Sequence, residues 1–122
     1  MDERKRRIQK FVEALPGGMT TEVNRRDMKC WVGTKGFAHW FEVGMPNDQP
    51  ELIIKISESE QIELIGKHPE KYHVPTANTW RKWLGVRLDS DTLDWNDVEA
   101  RLLAAYRSCA PRTLIKKLDS QN

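Results

Sequence analysis

A chain of 122 residues, 39% hydrophobic and 31% charged, is sized for one domain around a single core. Its net charge of +2 is close to balance, so composition alone demands neither a nucleic-acid nor a membrane partner. Mean hydropathy is -0.69, no apolar run approaches the ~20 residues that span a bilayer, and the charged N-terminus does not read as a secretory leader; a cytoplasmic location is the expectation.

Ile8, Phe11, Val12 and Leu15 recur at helical spacing, which predicts a helix over residues 2–15, stopped by Pro16-Gly17-Gly18. Arg4, Lys5, Arg6, Arg7 and Lys10 cover its start and outer face; a solvated helix face accounts for them, and contact with phosphates is the functional alternative. Residues 19–27 are ambiguous, with a short strand around Thr21 to Val23 as one reading. Met28 to Val32 alternates as a strand, Gly33-Thr34-Lys35-Gly36 is a tight connection, and Phe37 to Val43 is the returning strand. A breaker-rich loop, Gly44 to Pro50, leads to a third strand, Leu52 to Ile56, completing an antiparallel meander.

Ser57 and Glu60 have the spacing of a capping box and predict a helix to Lys67, ended by Pro69. Tyr72 to Pro75 reads as a short edge strand, because a proline is unsuited to a central one. Thr76 to Lys82 leads into Trp83-Leu84-Gly85-Val86-Arg87-Leu88-Asp89, a strand with Leu84, Val86 and Leu88 on one side. Asp94 is suited to cap a long helix whose Val98, Leu102, Leu103, Ala105, Tyr106, Cys109 and Ala110 form one apolar stripe; Pro111 ends or kinks it. Strands in a run with helices at the ends predict an α+β two-layer sandwich in the order α-β-β-β-α-β-β-α. One antiparallel sheet of four to five strands would carry helices on one face, in a single domain over residues 1–122.

The search for reactive chemistry returns no catalytic set. His39, His68 and His73 lack metal-ligand spacing, so neither a metal nor a cofactor is expected. Cys30 and Cys109 fall on apolar phases and read as buried free thiols, which suits a reducing cytoplasm. Cys30 and His39 lie on paired strands as packing neighbours, without a third group to activate them. The Gly33–Gly36 turn lacks phosphate-loop spacing. A non-enzymatic protein is the expectation.

The tryptophans say more; five in 122 residues is a high count, and their positions fall into a pattern. Strand parity sends Cys30, Val32, Phe37, Phe41, Leu52, Ile54, Ile56, Leu84, Val86 and Leu88 toward the helices. Lys29, Trp31, Ala38, Trp40, Ile53, Lys55, Trp83 and Arg87 then share the other face. Within it Lys29, Trp31, Trp40, Lys55, Trp83 and Arg87 make a candidate ligand surface, with indoles to stack on bases and cations to meet phosphates. The same residue types suit a protein partner or a homodimer contact, and cross-strand pairing of Trp31 with Trp40 would serve stability alone. Gly85 leaves a shallow gap between Trp83 and Arg87 where a flat ring or a backbone can approach.

Four stretches resemble the MmcQ/YjbR-like family of small cytoplasmic proteins: Ala14-Leu15-Pro16-Gly17, Thr34-Lys35-Gly36-Phe37-Ala38, the loop from His68-Pro69 to Pro75, and a C-terminal block. That block is the most specific, with Trp83 to Asp89, Leu93-Asp94, Val98, Ala105-Tyr106-Arg107 and Ala110-Pro111-Arg112. The resemblance runs from about Arg4 to Leu118. It implies a CyaY-like, secretion-chaperone-like α+β fold and a DNA-binding label without a catalytic residue set. A chaperone-like adaptor is the alternative. The chain departs from the family pattern at Asn24-Arg25-Arg26 and in its number of tryptophans.

Overall fold

A computed structural model describes residues 2–43, 45, 48–75 and 82–121. Helix α1 (Glu3–Glu13) starts where the Asp2 carboxylate accepts from the Arg4 backbone N–H at 2.9 Å. Four strands follow: β1 (Gly18–Val23), β2 (Asp27–Val32), β3 (Lys35–Phe41) and β4 (Glu51–Lys55). Helix α2 (Glu58–Lys67) comes next, then β5 (Tyr72–His73), β6 (Trp83–Val86), α3 (Trp95–Cys109) and α4 (Arg112–Asp119). The approach to β6 at residues 76–81, and residues 44, 46 and 47 of the loop before β4, lie outside the described residues.

All neighbouring strands run antiparallel, in the order β1-β2-β3-β4-β6-β5, so the architecture is α+β with a single open sheet of six strands. The expectation of four to five strands falls short because β1 has no clean apolar alternation. It is an edge strand lying beside α1, where the Thr20 hydroxyl donates to Glu13 and the Gln9 amide bonds Thr20. The C-terminal helix also differs. Pro111 ends α3 and caps the start of a separate helix, α4, since a proline lacks the N–H the interior needs but fits a helix beginning.

One face of the sheet carries the core. Met28 and Cys30 of β2, Phe37 and Trp40 of β3, Leu52 and Ile54 of β4, and Leu84 and Val86 of β6 pack against Ile8 and Val12 of α1 and Val98, Leu102 and Tyr106 of α3. Phe37 meets the Tyr106 ring edge-on at 6.1 Å, and the Tyr106 hydroxyl donates to the Pro16 carbonyl at 2.7 Å. That bond pins the end of the first helix to the last long one across 90 residues of sequence. Ser57 caps α2 as expected, accepting from the Glu60 N–H at 3.3 Å; the Glu60 carboxylate accepts from the Ser57 hydroxyl at 2.9 Å rather than from its backbone N–H.

Candidate functional site

The second face of the sheet is set by register. Lys29 stands opposite His39, His39 opposite Ile53, and Ile53 opposite Gly85. Lys55 pairs with Trp83, and Phe41 pairs with Glu51. Directly opposed residues of an antiparallel pair share a face, so these side chains all belong to the side away from the core.

Sequence parity misplaces β3. The β2–β3 ladder slips between Cys30 and Trp31, where Cys30 opposes Ala38 but Trp31 opposes Gly36. The extra residue, Phe37, is a bulge that reverses the phase of everything after it. Trp40, expected on the open face, is therefore fully buried in the core, with its indole N–H donating to Glu42 at 2.9 Å. Phe41, expected in the core, emerges on the open face beside His39. The two rings stack at 4.0 Å between centroids and 10° between planes.

The result is a hollow of about 390 Å³ on the open face. Lys29, Trp31, His39, Phe41, Ile53 and Trp83 line it, with Gly36 and Ala38 on its floor. Trp31 and Trp83 are both half-buried. The Trp31 ring lies over Gly36, and the Lys29 ammonium sits 5.3 Å from that ring's centroid. Burial depresses the His39 pKa, outweighing the carboxylate of Asp27, and the charge of Lys29 adds to the depression. Its Nε2 is buried without a hydrogen-bond partner. The hollow thus offers flat apolar walls with one cation at the rim.

Of the six candidate residues, three come together here: Lys29, Trp31 and Trp83. Lys55 is next to Trp83 in register, at the edge of the hollow. Arg87 turns away, its Nε–H donating to the Pro69 carbonyl at 3.1 Å on the β5 side. Trp40 belongs to the core. His39 and Phe41 are the additions. Both phases of the β3 sequence are apolar or aromatic, so only the bulge reveals which phase faces out.

The gap at Gly85 is filled from within the chain. The His73 imidazole of β5 lies against Gly85, and its Nδ1–H donates to the Val74 carbonyl at 2.9 Å. Glu51, fully buried, brings Oε2 to 3.5 Å from the same nitrogen, while Nε2 is buried and unpartnered. Both cysteines are buried free thiols. Among the described residues, no three or more His, Cys, Asp or Glu side chains are grouped to hold a metal ion, and no helix is long and apolar enough to cross a membrane.

No protein-family model matches the chain, and no curated protein matches it in sequence. Among solved structures, the chain is similar to the crystal structure of Deinococcus radiodurans protein DR2400, which carries family-model domain DUF419. The TM-score is 0.70 at 18% identity, over 92% of this chain and 85% of that one. At that identity the likeness is one of fold: the same α+β architecture built from a largely different sequence.

Proposed function

We propose that this protein is a non-enzymatic binding module of the MmcQ/YjbR-like kind, which holds single-stranded nucleic acid, DNA by the family resemblance, on the open face of its sheet. One observation carries the reading. Two half-buried tryptophans, Trp31 and Trp83, share one hollow with a lysine already seated over an indole. Indoles accept any base by its face, and a rim cation meets the phosphate that follows it. The buried free thiols of Cys30 and Cys109 support a reducing cytoplasm as its place of action.

The test is a titration of labelled single-stranded DNA at two salt concentrations. Trp83→Ala is expected to weaken binding by about 1–3 kcal/mol through lost stacking. Lys29→Ala is expected to lower the salt slope by roughly one unit. If both variants bind as the parent does, the face does not bind nucleic acid. If Trp83→Ala instead alters oligomeric mass, the hollow belongs to a protein contact and the adaptor reading replaces this one.

A further inference from the structure

The helical layer carries a second concave surface, on the opposite side of the sheet from the hollow. It is a groove of about 610 Å³ between α1 and the first turn of α3. Arg4, Arg6, Arg7 and Lys10 line it from α1, with Trp95 facing them from α3. The Arg7 guanidinium lies 5.0 Å from the Trp95 ring centroid and is bonded to Glu99 at 3.2 Å; Arg4 is paired with Asp2 at 2.7 Å. Arg6 and Lys10 have no acidic partner among the described residues, and both are exposed. The acids of the groove, Glu3 and Glu99, leave it net positive.

We infer that this groove binds the phosphate backbone of nucleic acid, independently of the open sheet face. Arg6 and Lys10 are one helical step of four residues apart, so their charges stand roughly 6 Å apart along the axis on the same side of α1. Arg4 and Arg7, each already paired with an acid, flank them, so the groove presents two unpaired cations in a row rather than a single anion pocket. A repeating anion matches a row of cations better than an isolated carboxylate does. The inference shares the nucleic-acid ligand with the open-face reading but uses none of the same residues. The two surfaces stand on opposite layers, so one molecule would hold two separate segments.

The experiment uses the full chain and a labelled blunt DNA duplex, whose paired bases are not free to stack in the hollow. Arg6→Glu with Lys10→Glu is compared with Trp83→Ala at two salt concentrations. Neither exposed cation makes a contact the fold needs, and circular dichroism confirms that the double variant is folded. The expected result is duplex affinity lower on the order of tenfold for the double variant, a salt slope smaller by roughly two units, and no change for Trp83→Ala. Equal duplex affinity for the parent and the double variant would overturn the inference, as would absence of duplex binding by the parent. Displacement of duplex by a polyglutamate peptide at equal charge concentration would overturn it in favour of an acidic protein segment. Single-strand binding by the three proteins reads the hollow separately, so failure of one surface does not conceal the other.

Discussion

Gly85 carries no side chain because His73 occupies the space a side chain would need. A Cβ there would run into His73 Cε1 and stand 2.7 Å from Nδ1. The ring is nearly buried and tethered to the Val74 carbonyl, so it cannot simply swing aside. Gly85→Ala is therefore expected to destabilise by about 1–3 kcal/mol in urea unfolding, the usual range for overpacking. Removing the ring should relieve the clash, so Gly85→Ala should cost less in a His73→Ala background. Strictly additive costs in the double-mutant cycle would show that the ring is not what excludes a side chain. The gap at Gly85 was legible in the sequence; its occupant was not, because β5 is only two residues long and pairs with β6 across a long intervening stretch. Cys30 gives a second expectation at this scale. Burial pushes its thiol from 9.0 up to about 12, with the charge of Glu13 adding to the effect. Above pH 9.0 the unfolded chain loses this proton while the native protein keeps it, so stability falls as pH rises toward 12. The loss is up to about 1.4 kcal/mol per pH unit from this group, and Cys30→Ala should flatten that alkaline slope whatever its effect at neutral pH. The native thiol should also label slowly; a slope unchanged in the variant would separate Cys30 from the alkaline loss.

Among the elements, the β1–β2 connection stands out for its backbone. Asn24 and Arg25 both have positive φ, 54° and 62°, and the Arg26 N–H closes the turn on the Val23 carbonyl at 3.2 Å. Asparagine enters this left-handed region readily, but arginine gains nothing local from it. Arg25→Gly is expected to stabilise by roughly 0.5–1 kcal/mol, less than the full relief of strain because glycine also loosens the unfolded chain. The denaturation midpoint should rise with an unchanged m-value; a lower midpoint would mean that the Arg25 side chain makes a compensating contact. The same contrast between pattern and exception governs what could be read from the chain. Helices α1, α2 and α3 and strands β2 and β6 declare themselves because each has an apolar phase and a capping or turn residue at its end: Asp94 at α3, Ser57 at α2, Gly33 with φ 61° after β2. Strand β3 has no such contrast, since Phe37, His39 and Phe41 alternate with Ala38 and Trp40. A bulge costs one residue of register and leaves no mark in composition. That single slip exchanged Trp40 for His39 and Phe41 in the candidate site.

For the whole molecule, the two-layer arrangement leaves one sheet face without helices among the described residues, and the question is whether a second copy must cover it. The apolar surface argues that none is needed. Among the described residues, the large hydrophobic side chains that are exposed are Met19, Val43, Ile62 and Val74. They lie on β1, just past β3, on α2 and just past β5, four separate places in the chain. On the open face itself, Ile53 is 3% exposed and Trp31 and Trp83 are half-buried, so the apolar area left to hide is modest. Stable dimers usually bury on the order of 800 Å² per partner, with a contiguous apolar centre. The two edges do not compel pairing either. β5 is too short to template another strand, and β1 places its charged Glu22 and the Arg25-Arg26 turn along the other edge. The expectation is a 14.2 kDa monomer by sedimentation velocity at micromolar concentration, with the same mass for Trp83→Ala. A parent dimer that Trp83→Ala dissociates would make the hollow a contact between copies. A dimer unaffected by that change would instead place the interface at an edge and leave the hollow open to ligand.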